Sequence, residues 1–419
     1  MMCAKNNQAD EDIVCATAKA AEARKGCHGL ATRQPTKGGT TPIIRSYKIR
    51  LYPTTEQAAM MWRHIGASRY IWNYMLAEQQ RRYEAGEKHL TAFDMIKLLT
   101  PLKQGEKHEW LKAISNAALQ KVCRDLDKAY QNFFKKISSY PKFKSRKKAK
   151  ANFPVRETIY FKDGQVTIEK LGKVRYKTDR LLPTGRCAAK LTNPRISNVN
   201  GKWLLTFGME SENQTPILTD KPMGIDLGVK ELAVVEFNGE HVFHNINKSR
   251  KMRQLKLKLK HLQRSISRKY EANRSGNKYN KTGNIEREEA KLRKLHTKIA
   301  NIRLNYLHQT THSLVSMLPC RVVMEDLNVT GMMKNRHLSK AIAEQCFSEF
   351  LRQMRYKCEQ NGIEFTQVGR FYPSSKTCSC CGHIKKDLKL SDRTYECPEC
   401  GLVIDRDYNA AINLSEYVA

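Results

Sequence analysis

Hydrophobic and polar residues alternate from Tyr47 to Tyr52, so residues 43–52 read as a strand, which Pro53 stops. Thr54 and Gln57 then stand three apart, the signature of a capping box. Met61, Ile65, Trp72 and Leu76 recur behind it at helical spacing. The same periodicity predicts a second helix over about 115–137, with Leu119, Val122, Leu126, Ala129 and Phe133 as its buried stripe. From 151 to 212 the alternation returns in short runs such as Glu157–Phe161, Gln165–Ile168 and Lys202–Phe207. Turns at Asp163-Gly164 and Asn200-Gly201 punctuate them. This is the pattern of a small β-barrel. The strand at 43–52 completes it, which makes the helices of 54–140 an insertion.

At 222 the pattern changes. Met223 to Val235 reads as a strand, a tight turn and a second strand. Between about 249 and 308 a helical hairpin is predicted. Leu255, Leu259, Leu262 and Ile266 form one seam, Leu292, Leu295, Ile299 and Ile302 the other, and a polar connector spans 273–284. A buried strand (Arg321–Leu327), a helix at about 339–360, a short strand (Glu364–Val368) and a last helix starting near Asp407 follow. Residues 1–42, rich in Ala, Lys and small polar side chains, read as a disordered leader.

Composition narrows the function. The 419 residues carry 75 Lys plus Arg against 41 Asp plus Glu, a net charge of +34. Such a charge repels itself in a compact chain, and a polyanion relieves it, which points to nucleic acid. The hairpin concentrates it: residues 248–308 hold 19 Lys or Arg and four Glu. Tyr140–Lys148 adds a basic run with embedded aromatics, in which Lys142, Lys144, Arg146, Lys147 and Lys148 are candidate nucleic-acid contacts. A membrane partner is not expected, because no apolar run approaches the roughly 20 residues of a spanning helix. The 13 cysteines are an odd number in a long chain without a signal-peptide pattern, so a reducing cytoplasm fits, with the protein at the nucleoid. Cys123, Cys346 and Cys358 sit in helical patterns and read as small buried hydrophobes.

Two constellations carry chemistry. Cys378 with Cys381 and Cys397 with Cys400 form two C-x2-C knuckles 15 residues apart, the pattern of a structural four-thiolate zinc site. Gly382 and Gly401 follow the knuckles, where the turn favours positive φ. Asp226 ends an apolar strand, Glu325 follows Val322-Val323-Met324, and Asp407 opens the last helix. Each alone fits a turn, surface or cap role. Together they are oxygen donors suited to Mg²⁺ and to metal-assisted phosphodiester cleavage. Strand alternation lets only one of Glu325 and Asp326 face the site, and Glu325 is preferred; Asp407 is preferred over Asp405.

The stretches Gly224–Gly228, Met324–Leu327, Phe371–Gly382 and Asp405–Ala411, with Tyr140-Pro141-Lys142-Phe143-Lys144, resemble the TnpB family, the OrfB-type proteins of insertion sequences related to type V CRISPR effectors. The resemblance spans roughly 43–414. It implies an α/β fold plus a β-barrel and a helical lobe. A wedge barrel would comprise 43–53 and 141–212, with a recognition domain at 54–140. A RuvC-like nuclease domain of RNase H type would comprise 213–370 and 403–419, with a zinc ribbon inserted at 371–402. It further implies a guide RNA from the transposon end, target double-stranded DNA cut beside a short flanking motif, and Asp226, Glu325 and Asp407 as the magnesium-binding triad. An RNA-guided binding regulator or transposase accessory without cleavage is the alternative.

Overall fold

The computed structural model describes residues 43–178, 182, 191–211, 216–389 and 391–418, so the leader lies outside the described residues. The chain divides into two compact units, 41–212 and 213–419.

In the first unit, β1 (Ile43–Tyr52) leads into α1 (Thr55–Glu84). Gln57 N–H donates to Thr54 Oγ1 at 3.2 Å and Thr54 N–H to Gln57 Oε1 at 3.0 Å, the reciprocal bonds of the capping box. Met61, Ile65, Trp72 and Leu76 are all buried. Next come α2 (Ala92–Gln104), a 3₁₀ segment (Glu106–Ala113) and α3 (Asn116–Phe134). These helices share a core around Ile71, Met75, Met95, Leu111, Leu119 and Leu126.

The strands β2 (Asn152–Pro154), β3 (Tyr160–Lys162), β4 (Gln165–Ile168), β5 (Gly172–Lys177), β6 (Leu191–Val199) and β7 (Lys202–Ser211) join β1 in one antiparallel sheet, ordered β2-β6-β7-β1-β5-β4-β3. Its terminal strands β2 and β3 are not paired with each other among the described residues, so the expected barrel is an open half-barrel. The reason lies in the strands and in the helix: β2 and β3 are three residues each, and Met61 and Ile65 of α1 fill the core that a closed wall would have covered. Trp203, Leu205, Phe207 and Met209 point inward at alternate positions of β7.

The second unit is built on five strands: β8 (Pro222–Leu227), β9 (Glu231–Glu236), β10 (Glu240–His244), and further along the chain β13 (Arg321–Glu325) and β14 (Glu364–Val368). A two-residue-per-strand ribbon, β11 (Arg274–Ser275) with β12 (Lys278–Tyr279), lies in the hairpin connector. The sheet order is β10-β9-β8-β13-β14. β8 pairs in parallel with β13, β13 in parallel with β14, and the remaining pairs are antiparallel. The hairpin helices are α4 (Arg250–Ala272) and α5 (Gly283–Ser316), with Met252, Leu255 and Ile299 at their seam. The second helix runs eight residues beyond the expected 308, because Leu307, Leu314 and Val315 belong to the core beneath the sheet.

Sheet alternation divides the two faces. Met223, Ile225 and Leu227 face α5 and the helix Phe347–Asn361 together with Val322 and Met324. Val323 faces the other way, onto Leu414 of the last helix, Arg406–Ser415.

Candidate active site and metal centre

Two strand ends and one helix start build the carboxylate site. Parallel pairing sets Met324 beside Ile225, so the next residues in register are Asp226 and Glu325. Both lie on the sheet face covered by the last helix, on the side of Gly224 and Val323. That helix sits unusually close to β8. A Cβ at Gly224 would stand 2.0 Å from the Ala411 carbonyl oxygen and 2.4 Å from Ser415 N. The missing side chain is what lets the helix lie down on the sheet with Asp407 in its first turn.

Three carboxylates near one another oppose each other's ionisation. Asp226 is only partly open to solvent, and its pKa is raised well above the carboxylate range. Burial is the largest cause, and the charges of Glu325 and Asp407 add to it; Arg406 and the Leu227 N–H act the other way. Glu325 accepts a hydrogen bond from the buried Ser374 hydroxyl. Asp326, its exposed neighbour, turns to Arg370 at 3.1 Å. Asp407 is paired with Arg406 at 3.4 Å and Arg393 at 3.8 Å. Asp405 instead caps the helix, its carboxylate accepting from Asp407 N–H at 2.8 Å and Tyr408 N–H at 3.2 Å.

The four cysteines converge more tightly. Among the described residues they are the one set of three or more metal-ligating side chains whose ligand atoms all lie within 4.8 Å of one another. Cys378 and Cys400 sulfurs are 3.6 Å apart, and those of Cys381 and Cys397 are 3.5 Å apart. Sulfurs about 2.3 Å from a tetrahedral zinc lie about 3.8 Å apart, so the cluster fits such a metal. Burial disfavours the Cys397 thiolate, but N–H groups of Cys400 and Glu399, together with the Cys381 and Cys400 side chains, outweigh it and hold this thiol down to about 6. Gly382 and Gly401 take φ of +77° and +70°, closing the knuckles with bonds to the Cys378 and Cys397 carbonyls. Two short strands, β15 (Thr394–Glu396) and β16 (Val403–Asp405), complete the ribbon, and β16 runs straight into the last helix.

Two residues that sequence pattern alone did not single out connect the clusters. Asn409 donates to the Thr377 carbonyl at 2.7 Å and accepts from Ser379 N–H at 3.0 Å. One turn on, Asn413 donates to the Ser374 and Thr377 carbonyls, each at 2.7 Å. The helix that carries Asp407 therefore also fixes the loop that carries Ser374 and the first knuckle. Two buried asparagines four apart on an otherwise apolar helix face were the available signal.

The candidate nucleic-acid tract lies in the other unit. Lys142, Arg146, Lys147 and Lys148 are exposed. Lys144 is partly buried, with its ammonium 3.2 Å from the centre of the Trp72 ring and its backbone gripped from both sides by Asn73. The Lys144 pKa is lowered to about 8, chiefly by burial, with Asp125 pulling it up and Arg195 pushing it down.

Residues 206–336 match the OrfB family of IS605-type elements, described as "Probable transposase". Residues 43–88 match its helix-turn-helix domain, and 347–414 match the "Cas12f1-like, TNB domain". A protein of Streptomyces pristinaespiralis named "Putative RNA-guided DNA endonuclease" is 32% identical over 375 residues, 89% of each chain. The chain belongs to the TnpB family. An Escherichia coli K12 relative, "Putative RNA-guided DNA endonuclease InsQ", is 31% identical over 88% of this TnpB-family chain and 91% of its own. In fold, the chain is similar to Cas12f1 solved with its guide RNA and target DNA, at TM-score 0.53 and 14% identity, over 89% of this chain and 99% of the other.

Proposed function

We propose that this chain is an RNA-guided DNA endonuclease of an insertion sequence, and that Asp226, Glu325 and Asp407 form its active site. The observation that supports the reading is the placement of Asp226 and Glu325 on adjacent parallel strands, each one position beyond the paired Ile225 and Met324, close enough to Asp407 for the three charges to interact. The mixed sheet, with its antiparallel three-stranded side and two parallel strands, supports a RuvC-like nuclease domain of RNase H type. The half-barrel and the helices inserted in it correspond in this reading to the wedge and recognition domains.

Three oxygen donors of this kind suit Mg²⁺, which would activate water and stabilise the leaving oxygen of a phosphodiester when bound. The chain's own residues prepare that site. Ser374 fixes one oxygen of Glu325, leaving the other oxygen available. Arg393 and Arg406 pair with Asp407 beside the other two acids. Cys378, Cys381, Cys397 and Cys400 would hold zinc in a closed, structural site, since four thiolates leave no open position. The guide RNA would supply sequence choice and the protein would read duplex shape and a flanking motif. In this reading the chain acts at the nucleoid. Among the described residues no helix is long and apolar enough to cross a membrane.

The test is to sequence the RNA that co-purifies with the chain and to present duplex DNA matching its variable end. One discrete RNA species and Mg²⁺-dependent cuts that follow its sequence are expected. A heterogeneous RNA population, with cutting indifferent to it, would refute RNA guidance.

A further inference from the structure

The turn that follows Asp226 is held from outside. Residues 228–231 lead from β8 into β9, and the backbone closes them with a bond from Gly228 N–H to the Leu232 carbonyl at 3.3 Å. Side chains from elsewhere meet all four of their carbonyls. Gln345 Nε2 lies 3.0 Å from the Gly228 carbonyl oxygen, 3.3 Å from that of Val229 and 3.4 Å from that of Glu231. Asn245 donates to the Val229 carbonyl at 2.9 Å, and the Lys248 ammonium donates to that of Lys230 at 2.7 Å. Water ordinarily serves the carbonyls of a hairpin turn.

Gln345 is itself fixed. It is 3% exposed and ends the short helix Ser339–Gln345. Cys346 then takes φ of +57° and separates that helix from Phe347–Asn361, so the single helix expected at about 339–360 is two. A left-handed residue other than glycine is strained, and it persists where its surroundings hold it there. The residue before Gln345 supplies that hold. Asn247 donates to the Glu344 carbonyl at 2.9 Å, and the Glu344 carboxylate pairs with Lys256 at 2.5 Å and Arg303 at 3.3 Å. Arg303 also donates to Asn247 Oδ1 at 2.6 Å. The base of the helical hairpin thus anchors the helix end that presents the Gln345 amide to the turn.

We propose that Gln345 is a positioning residue for Asp226: with Asn245 and Lys248 it clamps the turn, so that the Asp226 carboxylate stays beside Glu325 and Asp407 before a cation joins them. Asp226 stands where the sheet stops holding its strand. The ladder to β13 is paired as far as Ile225, and that to β9 as far as Leu227. Besides its burial, Asp226 meets the charges of Glu325 and Asp407, and like charges push this strand end away from the other two acids. The clamped turn begins two residues further on and resists that push. Groups that orient metal ligands in this way set the affinity of the site without touching the metal. The proposal rests on the reading of Asp226 as an active-site acid.

The experiment uses the full chain with its co-purified RNA. Gln345→Met keeps the length of the side chain and removes its donors. Asn245→Ser keeps an acceptor for Asn247 N–H and loses the reach to Val229. Thr311→Val, which removes a 2.9 Å bond to Gln353 away from the turn, is the control for lost stability alone. Amide exchange over residues 224–231 is measured without metal. Affinity for Mn²⁺ is measured by electron paramagnetic resonance, counting the binding that Asp226→Ala removes. Gln345→Met is expected to speed exchange in the turn and to weaken Mn²⁺ binding by roughly tenfold. Asn245→Ser is expected to shift both in the same direction by about threefold. Thr311→Val should lower the thermal midpoint and change neither. With saturating Mg²⁺, Gln345→Met should regain cleavage, because the acids themselves are intact. Wild-type exchange and Mn²⁺ affinity in Gln345→Met would overturn the proposal, and so would equal losses in Thr311→Val. Should Gln345→Met not fold, Asn245→Ser decides, and unchanged Mn²⁺ affinity in it would overturn the clamp. Equal Mn²⁺ binding by the unaltered chain and Asp226→Ala would instead overturn the active-site reading itself.

Discussion

Gly224 has no room for a side chain, and that one position sets the geometry of the carboxylates. A methyl group there would overlap the backbone of the last helix, and backbone cannot rotate away as a side chain tip can. Gly224→Ala is expected to destabilise the second unit by about 3 kcal/mol. The helix it lifts carries Asp407, so cleavage should fall with it. Thermal unfolding and a cleavage assay check this together, and an unchanged midpoint with unchanged activity would show that the helix does not depend on the close approach. The sequence made Gly224 visible as a small residue before Asp226, but not the reason, because the partner backbone lies far along the chain. The sequence pattern preferred Asp407 over Asp405 as the third acid, and geometry shows what Asp405 does instead. Asp405 precedes the last helix and Asp407 lies in its first turn, and hydrogen-bond direction gives the cap to Asp405.

Among the elements, the ribbon and the last helix act as one piece. β16 passes directly into the helix, and Asn409 and Asn413 bind the opposite end of the ribbon to it. Cys397→Ser is expected to lose the metal and to raise amide exchange over the knuckles and Thr377–Ser379. Glu325 then loses the fixed position of Ser374, so cleavage weakens without any change to a carboxylate. Zinc content near one per chain in this variant, with wild-type exchange, would contradict the four-thiolate assignment. The knuckles were legible because metal spacing is a local pattern. The capping box at Thr54 and Gln57 was legible for the same reason. The half-barrel was not: alternation announces strands and their inward faces, while closure depends on edge-strand length and on Met61 and Ile65 entering from a helix. The end of α5 was hidden likewise, since an apolar stripe shows no break where it passes from a hairpin seam into a larger core.

For the molecule as a whole, the 419 residues carry a net charge of +34, and the described ones form a unit of helices and half-barrel and a unit built on the mixed sheet. The second unit holds the three acids. Three acids brought together inside a basic protein oppose folding unless a cation meets them, which suits a metal-dependent nuclease better than a protein that only binds nucleic acid. The central proposal is that this acid cluster cuts DNA. The most direct measurement compares the wild-type chain and Asp226→Ala, each loaded with the same guide RNA, on a matched DNA duplex with Mg²⁺. The account predicts that the variant keeps its RNA and loses cleavage to background. Cutting at the wild-type rate by the variant would contradict it.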